Sequence, residues 1–214
     1  MPGNGGPYIS LEKTKTYVYF LFLYVVIAYI SITYTSYRAG HATIWPADAF
    51  MLASIFSRKI DSIYSATLIT FCASIIAQSI CGYHGFYMAL YALVSSIQIF
   101  LSCHAYRIYI GKGLVFSDYK SILVFNISAG VIVPFICAIL GGTFNAIEAG
   151  SPFLGDFADW FFSLSLGNVT FTRPFTYILS GALRDNIKNA FLAEKGITIS
   201  CLSILVTVVS SYLM

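Results

Sequence analysis

The 214-residue chain is 58% hydrophobic and only 10% charged, with a mean hydropathy of +0.79 and a formal net charge of +3. Soluble domains carry about 25% charged residues, so this composition excludes an ordinary soluble domain and points to an all-α, polytopic transmembrane helix bundle. The basic residues flank apolar runs instead of gathering on one face, which argues against a nucleic-acid partner and leaves the lipid bilayer as the partner implied by composition.

Residues 1–16 read as a flexible cytoplasmic tail, Gly/Pro-rich at first and then carrying Glu12, Lys13 and Lys15. The membrane domain follows over 17–214. Its first apolar run, 17–35, is too long for a signal-peptide core and is read as an uncleaved span. A loop at 36–46 leads to a short apolar segment, 47–57, closed by Arg58 and Lys59. Eleven residues reach only about 17 Å, so this segment must extend back through Trp45 and Pro46 or cross a thin part of the bundle. Pro46 suits a first helical turn, and Asp48 there complements the positive end of the helix dipole. Asp48 is therefore either a helix-start residue or a ligand residue.

The third span is predicted over 60–80, with Gln78 near its end. A tight turn at 81–85 makes it the antiparallel neighbour of the fourth, 86–104. Residues 105–120 read as an interfacial connection of tyrosines and cations. The fifth span, 121–143, holds Asn126 and Pro134. An acidic Gly/Pro loop, 144–156, precedes the sixth, 157–180, and the seventh runs over 197–214. With the N-terminus cytoplasmic, ten of the 12 lysines and arginines fall on the inner side, Arg38 alone lies outside and Arg173 lies within a span. That is the positive-inside pattern. Seven spans would leave Met214 outside without a polar flank, which reads as a chain cut before its last helix.

The sixth span is the most informative stretch. It carries Asp159 near one end and Asn168, Arg173 and Pro174 inside. Polar groups in hydrocarbon are costly and usually face protein or a wet cavity. Pro174 and Pro134 are predicted helix kinks, since each removes an N–H donor. Arg173 is either an interior functional group or an anchor snorkelling roughly 12 Å to the interface. Asn126, Asn168, Gln78 and Gln98 are either interhelical hydrogen-bond glue or the lining of a pocket.

Other chemistries find little support. His41, His84, Asp48, Glu148, Asp156 and Asp159 lack metal-ligand spacing, so no metal is predicted. Facing intramembrane histidines for haem are missing, since only His104 lies at a span end. No span holds a lysine that could carry retinal, and no nucleophile has an intramembrane histidine partner. The five cysteines (Cys72, Cys81, Cys103, Cys137, Cys201) form no CxxC pair and read as buried thiols. The reading is a non-enzyme without a cofactor.

Three places together carry a family resemblance: Trp45-Pro46 opening the short helix, Gln78 ending the third span before a glycine turn, and Trp160 through Leu166-Gly167 to Pro174. They resemble the MASE1 family of bacterial integral-membrane sensory domains, over about residues 15–214. The family's second helix opens on a Trp-Pro segment, and a late helix carries Trp, then Leu-Gly, then Pro. Here Asp48-Ala49 stands where a small residue and Gly are usual, Arg173 precedes the proline, and Gln78 replaces Asn.

The resemblance implies about eight spans in the bacterial inner membrane. It also implies an unknown small-molecule or membrane-protein signal, and a C-terminal output module, a histidine kinase (two-component system) or cyclic-di-GMP enzyme, in the native chain. A homodimer is implied as well. The site expected from the sequence is Trp45, Asp48, Gln78, Asn168, Arg173 and Pro174. Rival readings are a small-solute carrier or transporter substrate-binding subunit, which also use broken helices, and a scaffold for another membrane protein.

Overall fold

A computed structural model describes residues 11–37, 41–110, 116 and 118–181, with the side chains of 36–41 excepted. The seventh predicted span lies outside the described residues. Seven α-helices are described: α1 (Leu11–Thr35), α2 (Pro46–Phe56), α3 (Ile63–Ile80), α4 (Phe86–Ile110), α5 (Tyr119–Ile127), α6 (Val133–Ala149) and α7 (Phe153–Leu179). A π-helical turn, Ser128–Ile132, joins α5 to α6 without a break. A two-residue strand pair follows α1, β1 (Ser36–Tyr37) antiparallel to β2 (His41–Ala42).

Several predicted boundaries move. α1 begins at Leu11, inside the segment read as a tail. α4 runs on to Ile110 and absorbs the first part, residues 105–110, of the expected interfacial connection. The acidic loop shrinks to Gly150–Pro152, because α6 continues to Ala149 and ends on Gly150 at φ 66°, a left-handed stop that glycine adopts without strain. In each case the helix outlasts the apolar run used to bound it.

Among the described residues, four helical stretches are long and apolar enough to cross a membrane: Leu11–Thr35, Ile63–Ile80, Phe86–Ile110 and Tyr119–Ala149. α7 has the length, 27 residues, but its Asp156, Asp159 and Arg173 set it apart. The short α2 resolves its reach problem differently from expectation. Every residue from Ala47 to Ile55 is buried, among α1, α3, α4 and α7. A helix apolar all round belongs in a protein interior, so α2 does not need to meet lipid at both faces.

α6 and α7 form an antiparallel pair set by glycines. A Cβ on Gly142 would stand 2.9 Å from the Phe157 backbone, one on Gly141 would strike the Trp160 ring, and one on Gly130 would meet Val169 at 2.6 Å. Small residues let helix backbones approach where no hydrophobic force drives association in lipid. α2 and α7 run in the same direction, with Trp45 beside Ser163 and Gly167, and Phe50 against Phe175 at 5.6 Å.

Candidate functional site

The site begins with the way α7 grips the segment before α2. The Trp45 N–H donates to the Ser163 carbonyl at 3.2 Å, and Ser163 Oγ donates to the Ala42 carbonyl at 2.7 Å. Gly167 lies directly against the Trp45 carbonyl, where any Cβ would collide with backbone. Gly167 thus makes the seat on which the Trp45-Pro46 start of α2 rests.

Beside this seat lies a cavity of about 80 Å³. Trp45, Gln78, Tyr83, Tyr91, Asp159 and Trp160 line it, over a floor of Ser95, Ser163 and Leu164. It therefore joins the loop before α2, the end of α3, the start of α4 and the first half of α7. The Tyr91 and Trp160 rings stand 5.5 Å apart at 38°. Gln78 is 7% exposed, and its Oε1 has no hydrogen-bond partner among the described residues. Tyr83 belongs to the α3–α4 turn, where burial, followed by the nearby Cys81 and Glu148 charges, holds its phenol above the ordinary value.

Under the floor sits Asp48, at the third position of α2 and fully buried. Tyr24 of α1 donates to Asp48 Oδ1 at 2.7 Å, and the Ser74 hydroxyl of α3 lies 3.0 Å from Tyr24. Because the Tyr24 proton is committed to Asp48, Ser74 donates to Tyr24. Trp45 and Ser95, both on the cavity wall, face the same carboxyl, while Oδ2 has no hydrogen bond of good geometry among the described residues. A buried carboxyl held by hydroxyls, with no basic partner among the described residues, links four helices to the cavity floor.

Further along α7, Asn168 and Ser165 meet the π-helical turn. The Val133 N–H bonds back to the Ser128 carbonyl, five residues away. The Ala129 carbonyl thereby loses its usual donor, and the next residue in line, Pro134, has no N–H to offer. Asn168 Nδ2 supplies the missing donor at 2.8 Å, and Ser165 Oγ donates to the Gly130 carbonyl. The irregular turn expected at Pro134 therefore sits just before it, and α7 satisfies its backbone. α7 itself continues unbroken through Pro174.

The expected site residues thus divide. Trp45 and Gln78 line the cavity, and Asp48 lies beneath it. Asn168 holds the π turn. Arg173 and Pro174 lie on the exposed face of the far half of α7, with the Arg173 guanidinium 5.6 Å over the Phe116 ring. Phe116, Phe56 and Phe125 form an edge-to-face cluster at 5.0–6.0 Å there, so α2 reaches from the cavity to this cluster.

The remaining carboxylates and histidines also separate. Tyr91 donates to Glu148, Asn145 donates to Asp156, and Ser151 donates to Asp156, which pins the α6–α7 turn to α4. Among the described residues no three of His, Cys, Asp and Glu gather as a metal site. His84 is exposed, and the side chain of His41 lies outside the described residues. Sequence reasoning missed Tyr24, Tyr83, Tyr91, Ser95 and Ser163. Each is an ordinary residue of an apolar or turn segment, and with 16 tyrosines in the chain none carries a signal of its own.

No curated protein and no solved structure matches the chain. A family model does, under the description MASE1, over residues 17–214. Of the residues that carried the resemblance, Trp45, Pro46 and Gly167 seat α2 on α7, Trp45, Gln78 and Trp160 line the cavity, and Pro174 lies apart on the far half of α7. With the match covering nearly the whole chain, the chain belongs to the MASE1 family of membrane-associated sensory domains.

Proposed function

We propose that this membrane domain is the sensory input of a bacterial inner-membrane signalling protein and that the Trp45–Trp160 cavity receives the signal. The observation that carries this reading is the seating of the Trp45 backbone on Gly167. It ties the cavity wall and, through α2, the Asp48 cluster to the helix that makes the Ser165/Asn168 contacts to the π turn. A ligand that moves Trp45 or Trp160 by a fraction of an ångström disturbs the α6–α7 packing, and π turns are recurrent sites of such adjustment. The far half of α7, with Arg173 and Pro174, then passes the shift toward the cytoplasmic side.

The positive-inside distribution favours a multi-pass topology with the N-terminus in the cytoplasm. That topology puts the cavity at the periplasmic face, exposed to a small-molecule or membrane-protein signal. The output would be a cytoplasmic histidine kinase or cyclic-di-GMP enzyme carried C-terminally, working as a homodimer. The domain itself has no catalytic role in this scheme.

The test joins the full chain to a cyclic-di-GMP cyclase reporter through one added apolar span, which returns the C-terminus to the cytoplasm, and compares Gly167→Ala, Asp48→Asn and Arg173→Ala with the parent. Changed output at normal membrane levels in the first two supports cavity-to-α7 coupling. Arg173→Ala is expected to alter output without loss of insertion. Parental output from all three would remove the sensory reading of this site.

A further inference from the structure

We propose that the cavity binds a small ammonium cation, a protonated amine or partly methylated ammonium, either free or as a lipid headgroup. The inference rests on the cavity being the input site, and it concerns what that site takes. Four aromatic residues line the space: Trp45, Trp160, Tyr83 and Tyr91. Their faces carry the negative end of the ring quadrupole and attract cations, tryptophan most strongly. Beside the indole N–H groups and hydroxyls of the lining stand two acceptors, the exposed Asp159 carboxylate and the buried Gln78 Oε1, and Gln78 Oε1 lacks a hydrogen-bond partner among the described residues. Among the described residues no Lys, Arg or His lines the cavity.

The neighbouring charge has the same sign. Glu148 accepts from Tyr91, so the Tyr91 hydroxyl points its proton away from the cavity's acceptors and adds no cation of its own. An anion would meet the Asp159 carboxylate and the negative ring quadrupoles, and among the described residues no cationic side chain lines the cavity to offset them. A neutral apolar ligand would leave Gln78 Oε1 buried without a donor, at a cost. An ammonium group supplies N–H donors to Gln78 and Asp159 and presents its charge and C–H surface to the rings. A volume of about 80 Å³ corresponds to roughly five water positions, which suits an ethanolamine-sized head.

The chain reports on its own site, because its only two tryptophans, Trp45 and Trp160, both line the cavity. The experiment titrates the full chain, in nanodiscs of phosphatidylglycerol alone, with ethanolamine, choline and the uncharged choline isostere 3,3-dimethylbutanol, and follows tryptophan emission. A parallel sample replaces part of the lipid with phosphatidylethanolamine and receives no added amine.

The expected result is a saturable emission change with an ammonium compound and none with the neutral isostere. The affinity should fall at least about tenfold in Asp159→Asn and by a smaller factor in Gln78→Leu. The same change in phosphatidylethanolamine discs without added amine assigns the cation to a lipid headgroup; a change only with added amine assigns it to a free ligand. An equal response to the isostere, or no saturable response in either lipid, overturns the cation assignment. Binding that leaves reporter output unchanged would instead sink the sensory reading and spare the cation site. Asp159→Asn lies on an exposed position, so a folded variant is expected, and retained wild-type affinity in it also counts against the proposal.

Discussion

Pro134 and Pro174 are the same residue in adjacent long helices, and the sequence predicts the same kink for both. Their surroundings give different outcomes. Pro134 is buried against α7, its helix carries a π turn, and Asn168 and Ser165 cap the carbonyls that the turn releases. Pro174 lies on an exposed face and its helix runs on through it. A proline therefore marks where a helix loses a hydrogen bond, but its partner helix decides whether that loss becomes a built feature. The first region couples two helices; the second stands alone.

The largest effect is expected where the coupling has no slack. Gly167→Val places a branched side chain against the Trp45 backbone carbonyl, which cannot rotate away. Overpacking costs about 1–3 kcal/mol in adaptable cores, and a backbone obstacle belongs at the upper end. Loss of the monodisperse species in size-exclusion chromatography is expected, while Val at Gly155, open to space, should leave it intact. If both variants behave alike, Gly167 is not the seat of α2.

Next comes the cap. Asn168→Leu leaves the buried Ala129 carbonyl without a donor, at roughly 1–3 kcal/mol. Membrane double-mutant cycles average nearer 0.6 kcal/mol, so a modest fall in thermal midpoint is expected, and a smaller one for Ser165→Ala. Tyr24→Phe should cost about the same as Asn168→Leu, because it strips Asp48 Oδ1 of its one hydrogen-bond donor of good geometry among the described residues.

The smallest effects separate the prolines themselves. Pro134→Ala restores an N–H five residues after Ala129, which competes with Asn168 for the same carbonyl. Amide exchange at position 134 should be slow, and adding Asn168→Leu should then cost less than it does in the parent. Pro174→Ala returns a donor to an exposed helix face and should shift the midpoint upward or not at all. A matched response in the two proline variants would erase the contrast.

Much of this was readable from residue types alone. Composition pointed to a helical membrane bundle, and Trp45, Pro46, Trp160 and Gly167 stood out through their resemblance to the MASE1 pattern. Asp48 could be placed at a helix start by its neighbour Pro46, but its burial could not, since that depends on four helices meeting around an eleven-residue segment. The boundary errors share one cause. Hydropathy marks where lipid-compatible residues stop, whereas α4 and α6 continue on local helix propensity, α6 as far as its Gly150 cap. Asn168 illustrates the remaining gap: its polarity announced a partner, but the partner is a backbone carbonyl made available by a proline 34 positions earlier in the chain.

The central claim is that α7 ties the cavity to the π turn. The most direct measurement is the reporter output of the full chain carrying Asn168→Ala, read together with tryptophan emission. The account predicts altered output with the cavity emission and membrane level of the parent, because the change lies beyond the cavity on the same helix. Parental output in that variant would contradict it.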